Sequence, residues 1–311
     1  MPQRDFAAVN QAKFNFDDIY TRHDPRDYFR VLGSLDYVIP DVAQPVFRQL
    51  IEARRAELGR PITVLDLGCS YGINAALMTN PISFETLYDR YLARGMQNLS
   101  SPEVTELDRH FFASWPKTEG LRVIGMDISK PAVEYAVGAG LLDFGIVGDF
   151  ETSEPTAEQN AALAEVDIVV STGCVGYVTE RTFERLSVCR GNGVSPWVAS
   201  FVLRMFPYDA IERVLTCQNL VTERFEGATF VQRRFGDREE QRGMIETLKA
   251  RCIDPRGKEA DGHLHTELYV SRPQMAVAAV PLQSMISVAA GVNRRYRTRV
   301  TRSTRPRLTA C

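Results

Sequence analysis

One segment constrains the fold more than any other. Residues 62–67, ITVLDL, form a short β-branched apolar run; a turn carrying Gly68 and Gly72 comes at once after it, and a helix-forming stretch begins at Asn74. A strand that ends in glycines can reverse into a helix without a long loop, because glycine takes up positive φ at little steric cost. The same unit recurs along the chain. LRVIGM at 121–126 reads as a second strand, followed by Ser129 as a cap and a helix over 131–137 with Pro131 in its first turn. Residues 143–147, 166–171 and 197–205 read as three further strands, and helices over 179–189 and 207–217 come after the last two. Strands that alternate with helices imply a parallel sheet covered on both faces. The end of the chain departs from this rhythm: strands at 229–235 and 263–270 flank a helix over 237–252, which suggests an antiparallel addition at the sheet edge. The expected fold class is therefore α/β, a doubly wound, mostly parallel seven-stranded sheet with an antiparallel edge strand.

Two segments lie outside the alternation. Residues 1–60 hold an aromatic and charged stretch and a helix over 42–58, and read as a helical N-terminal lid. Residues 81–119 read as a helical insertion of two helices, 84–99 and 102–115, inside a sheet domain spanning 61–273. Residues 274–311 form a C-terminal extension. Its last part, from Asn293, carries seven arginines and no acid, whereas the whole chain has 37 basic and 39 acidic residues. An acidic body with a basic, solvated end does not suit a nucleic-acid groove, since phosphates must meet positive charge on a folded face. The stretch 275–292 is interrupted by Pro281, Gln283, Ser284 and Ser287, so no membrane association is expected and its ordinary use is a surface helix or a homodimer contact. The charged first residues lack a secretory pattern, and a cytoplasmic location is expected. Six scattered cysteines without a C-x-x-C pair exclude the usual zinc and disulfide frameworks, and no metal is expected.

The turn VLDLGCSYGIN decides which ligand the sheet edge suits. A dinucleotide fingerprint needs a third glycine where Ile73 stands and an acid about twenty residues on, which is missing. A phosphate-binding P-loop needs a G-K-[ST] that the segment lacks. Instead, an acid stands at the end of each early strand: Asp66 in VLDLG, Asp127 in VIGMDIS and Asp149 in IVGDF, and then come Ser171, Thr172 and Gly173 in VDIVVSTGC.

In this order of motifs the chain resembles the class I S-adenosylmethionine-dependent methyltransferases over roughly 61–273. The resemblance implies a Rossmann-like fold with S-adenosyl-L-methionine as cofactor. It implies that Gly68, Cys69, Ser70 and Gly72 approach the methionine part and that Asp66 steers its ammonium group. Asp127, with Ile128 beside it, would accept the ribose hydroxyls; Asp149 would accept from the adenine amino group and Phe150 would cover the ring. Ser171, Thr172 and Gly173 would open toward the sulfonium. Ser70 stands where the family has a glycine, and the separation of Asp66 from Asp127 is long, which the insertion at 81–119 explains.

The segment STGCVGY is not the Asn/Asp-Pro-Pro-aromatic pattern of enzymes that grip a planar nitrogen, so a small-molecule substrate is expected rather than nucleic acid or a side-chain amide. Tyr177, Tyr20 and Tyr28 are candidate catalytic or sulfonium-facing residues, and His23 is the candidate base. The lid is expected to be removable, with residues 1–37 dispensable for folding. The reading is methyl transfer to a small metabolite. Two alternatives stay open: an enzyme that cleaves or cyclises the cofactor's own side chain and releases methylthioadenosine, and an inactive, cofactor-binding regulatory protein.

Overall fold

The computed structural model describes residues 17–188 and 195–288. Phe14, Phe16, Cys189 and the arginine-rich tail lie outside these residues.

The strands are β1 (Ile62–Leu67), β2 (Leu121–Asp127), β3 (Phe144–Val147), β4 (Ile168–Thr172), β5 (Trp197–Leu203), β6 (Leu220–Arg224), β7 (Phe230–Arg234) and β8 (His263–Pro273). The sheet has eight strands in the order β3-β2-β1-β4-β5-β8-β6, and β7 also pairs with β8. The first five are parallel and form a doubly wound, Rossmann-like order that reverses between β1 and β4. In such a sheet the crevice outside the carboxyl ends at the reversal is where ligands bind.

Two expectations need correction. The sheet has eight strands rather than seven, and its antiparallel part is more than one edge strand. β8 runs inside the sheet against β5, and its outer edge is shared by β6 at 269–273 and β7 at 263–266. β6 is hard to read from sequence because Thr222, Glu223 and Arg224 outnumber its apolar residues, and its pairing with β8 alone makes it a strand. The helix expected over 84–99 breaks at Ala93 into Phe84–Leu92 and Arg94–Gln97, and Ala157–Leu163 adds a short helix that the apolar pattern hid.

Helices cover both faces. Along β1, Ile62 and Val64 join a core with the helices Ile39–Leu58, Ile73–Thr79 and Lys130–Gly138. Leu65 and Leu67 join the opposite core, with Phe183, Ile211 and Leu248 from later helices. All six residues of β1 are buried, as a central parallel strand requires.

The described part of the N-terminal segment is a fixed wall. Tyr28, Phe29 and Leu32, on the helix Arg26–Gly33, are at most 3% exposed. Phe29 stacks on Tyr91 of the insertion with ring centroids 4.6 Å apart. Arg26 donates to the carbonyls of Met96 and Leu99 at 2.7 and 2.8 Å, and Ser101 donates to Asp24 at 2.6 Å, latching wall to insertion. The insertion is anchored in turn by Asp108, which accepts from Tyr135 of the sheet-bound helix at 2.5 Å and from Arg90 at 2.7 Å. Residues 17–37 are thus part of the core, and their removal is expected to abolish cooperative folding. Phe29→Ala should cost about 3–5 kcal/mol, which denaturant unfolding followed by circular dichroism will measure.

Candidate functional site

The turn after β1 is built by its neighbours. Gly68 and Gly72 have φ of 75° and 73°, and Ser70 is itself left-handed at 48°. A Cβ on Gly68 would stand 2.8 Å from the Cβ of Cys174, so side-chain volume as well as φ restricts the position. The backbone N–H groups of Gly68 and Cys69 donate to Met126 O at 2.8 and 3.1 Å, tying the turn to the end of β2. Asp127 completes the clamp by accepting from Ser70 N and Ser129 N, both at 2.9 Å. Two carboxylates are thereby brought to adjacent strand ends at the reversal point of the sheet.

Asp66 is completely buried. One carboxylate oxygen accepts from Asn74 Nδ2 at 3.1 Å, and the same amide donates to Thr172 Oγ1 at 3.1 Å. The other oxygen has no partner among the described residues, and neither do Ser70 Oγ and Asn74 Oδ1. Burial pushes the Asp66 carboxyl up to about 7, opposed by the Asn74 hydrogen bond and assisted by the nearby charge of Asp127. Asp127 is also raised by burial, against the hydrogen bonds that it accepts from the backbone. Three buried oxygens able to accept, one of them a carboxylate's, have no donor among the described residues. The group that would satisfy them is a cation with several N–H bonds, and an amino acid ammonium fits that description.

The other expected residues divide. Ile128 is 73% exposed beside Asp127, whereas Phe150 is 1% exposed and packed with Leu163 and Phe183. Phe150 is therefore core, and of the two only Ile128 offers a face to a planar ring. Asp149 is exposed, accepting from Glu151 N at 3.0 Å and Thr152 Oγ1 at 2.7 Å. Ser171 is buried and donates to Ser200 on β5 at 3.1 Å, so its hydroxyl serves the sheet. Thr172 and Gly173 end β4 beside Asn74, with Gly173 at φ 75°.

Above the strand ends the tyrosines gather. Tyr28 stands edge-on to Tyr20, Tyr37 and Tyr71, with ring centroids 5.8–6.1 Å apart. Tyr20 is raised by burial and by the neighbouring Tyr37, Tyr177 and Asp127, and Tyr37 is pushed up to about 12, chiefly by burial. Both keep some exposed surface, as residues lining a recess do. Tyr177 is 57% exposed at its mouth. His23 lies exposed on the loop between the helices Asp17–Tyr20 and Arg26–Gly33. His265 accepts from or donates to Thr229 at 3.0 Å, and its pKa falls to about 4, chiefly by burial.

Three residues that motif reasoning did not assign to the site help to build it. Asn74 bridges Asp66 and Thr172 from the first turn of the helix; an amide among apolar helix residues directly after Gly72 is the available signal. Tyr71 reaches away from the turn and donates to the carbonyls of Ile19 and Arg22 at 2.7 and 2.9 Å. Ser129, expected as a cap, caps the helix through Ala132 N and also donates to Tyr20 O at 2.5 Å. The aromatic wall is thus bonded to the same turn that would hold the ligand. No group of three or more metal-ligating side chains occurs among the described residues.

No protein-family model and no curated protein matches the chain. Among solved structures, the plantazolicin methyltransferase BamL, in complex with a desmethyl analogue and SAH, is 10% identical with a TM-score of 0.43, covering 87% of this chain and 97% of its own. Magnesium protoporphyrin IX methyltransferase from Synechocystis, with bound SAM, is 12% identical with a TM-score of 0.37, covering 87% and 98%. A TehB-like SAM-dependent methyltransferase from Corynebacterium glutamicum is 15% identical with a TM-score of 0.34, covering 70% and 86%. At such identities and scores the chemistry of the site rests on this chain's own residues.

The raised pKa of Asp66 has two consequences. A buried acid whose folded pKa lies above its unfolded one contributes stability at low pH that is lost as pH rises from about 4 toward about 7. A cationic ligand reverses this by favouring the carboxylate. S-adenosylhomocysteine, which carries the same ammonium, should therefore bind about tenfold more weakly at pH 6 than at pH 8 and release a proton on binding below pH 7. Calorimetry in buffers of different ionisation enthalpy checks both, and Asp66→Asn should flatten the profile.

Proposed function

We propose that the chain is an S-adenosylmethionine-dependent enzyme that transfers the methyl group to a small molecule. The observation that carries this reading is the unpartnered, buried oxygen of Asp66 at the end of β1, next to a second carboxylate at the end of β2. The acids Asp66 and Asp127, with Ser70, Asn74, Thr172 and the exposed face of Ile128, supply ammonium, hydroxyl and ring contacts in the order that the strand ends present them. When bound, the cofactor supplies a methyl group activated by a sulfonium.

The chain's own part is positioning and desolvation. Tyrosine faces suit a sulfonium through cation–π attraction, and their hydroxyls stay protonated because burial raises their pKa values. Groups held in this way orient an acceptor and exclude water, and an in-line displacement gains more from that than from a strong base. Tyr20, Tyr28 and Tyr177 are assigned this role, and His23 has no comparable placement. Among the described residues no helix is long and apolar enough to cross a membrane. A cytoplasmic enzyme, homodimeric through its C-terminal extension and without nucleic acid, fits this reading.

A second reading is favoured by one observation: the groups gathered around Asp66 and Asp127 are phenols, which burial keeps protonated. Such a recess can also fold the cofactor's methionine arm so that its own amino or carboxyl group attacks the side chain, releasing methylthioadenosine.

Incubating the protein with S-adenosylmethionine alone and identifying the products by mass spectrometry separates the two. The leading reading expects unchanged cofactor until an acceptor is added, and then S-adenosylhomocysteine; enzyme-dependent methylthioadenosine would establish the second. Asp127→Ala should weaken S-adenosylhomocysteine by about 1.5 kcal/mol or more, because it removes the acceptor that orders Ser70 and the ligand's hydroxyls.

A further inference from the structure

We infer that Gln232 is the acceptor-reading residue of this site, and that the subsite it governs takes a small molecule through a hydroxyl or an amine. The inference rests on the cofactor reading above and goes beyond it by assigning the other half of the recess.

Gln232 combines three features. It is the extra residue of a β-bulge: in the pairing of β7 with β8, Val231 faces His265 and Arg233 faces Leu264, so Gln232 has no cross-strand partner. Bulges re-aim side chains next to functional sites. It is only 8% exposed, and its side-chain amide makes no hydrogen bond among the described residues, while its amide atoms are not fully enclosed, so the amide meets open space on one side. Finally, its Nε2 stands 2.3 Å from where a Cβ on Gly173 would lie, so the glycine that ends β4 leaves the space that the amide occupies. The backbone of Gln232 is held in place, its carbonyl accepting from Val38 N at 2.8 Å, directly after Tyr37 of the aromatic wall.

Direction separates its role from cofactor binding. The cofactor groups lie on the ends of β1 and β2 and on the helix after β1, whereas Gln232 arrives from β7, on the opposite side of β4. A buried amide reaching Gly173 from that side addresses whatever approaches the sulfonium from across β4. Its unused donor and acceptor suit a hydroxyl or an amine.

The test uses the full chain in two measurements. Calorimetry with S-adenosylhomocysteine on wild type and Gln232→Ala should give affinities within twofold; a tenfold loss in the variant, with unchanged melting temperature, would assign the amide to the cofactor and overturn the inference. In 15N-labelled protein saturated with S-adenosylhomocysteine, the Gln232 side-chain amide, identified by its loss in Gln232→Ala, is then followed while 1-propanol, propylamine or 1-chloropropane is added. Shifts with propanol or propylamine and none with 1-chloropropane, which has no hydrogen-bonding head, are expected. An amide unmoved by all three, or moved as much by 1-chloropropane as by the other two, would overturn the inference. Failure of the cofactor reading is distinct from these results, since the wild type would then not bind S-adenosylhomocysteine at all.

Discussion

The organisation of the molecule depends on one interaction that the protein leaves incomplete. Asp66 is buried at the end of the central strand with a single hydrogen bond to one oxygen, and the other oxygen is orphaned. A carboxylate in that position costs folding free energy, which is why burial moves its pKa toward neutrality. Such a residue persists where the surrounding structure over-determines it. Here the left-handed turn, the Asp127 clamp on Ser70 and the Asn74 bridge to Thr172 hold every neighbour in place. The site is preorganised for a positively charged ligand because its cost is met within the fold, before any ligand arrives.

The same turn explains how an insertion can sit between the two acids Asp66 and Asp127 without separating them. Asp66 and Asp127 are distant in sequence, but β1 and β2 are adjacent and in register, with Asp66 opposite Gly125. Gly125 matters there because a Cβ would stand 2.4 Å from Leu142 and 2.8 Å from Cys69 Sγ, so the absence of a side chain lets the turn lie down on β2. The intervening helices leave the sheet and return, and are fixed to its surface through Asp108. What they add is a wall: Tyr91 stacks under Phe29, and the N-terminal helices are latched from both sides. The aromatic wall and the turn with its two acids are thus built from different parts of the chain that share the Ser129 and Tyr71 contacts.

The legible part of the molecule was the part governed by local rules. Glycines that need positive φ, a β-branched run, and an acid at a strand's carboxyl end are visible in a few consecutive residues. Hence β1 to β5, the turn, and the two acids Asp66 and Asp127 could be read directly. Phe150 shows the limit: its position after Asp149 suggested a ring-covering role, but the direction in which it points is set by packing against Leu163 and Phe183. Ile128, one residue beyond Asp127, has the exposure that the role needs.

By itself, then, the sequence determined the alternating α/β framework, the place of the glycine turn and the acids beyond it, since each depends on backbone preferences within one strand-turn-helix unit. Tertiary structure alone decided the rest. It placed β8 inside the sheet and made β6 and β7 share its outer edge, because pairing partners are chosen by distant strands. It turned the expected lid into a core wall, because Phe29 is buried by an insertion dozens of residues away and Tyr28 packs against Tyr71 of the turn. It carried Gln232 from the far side of β8 back to Gly173, because a bulge changes the direction of a side chain without changing the composition of its strand.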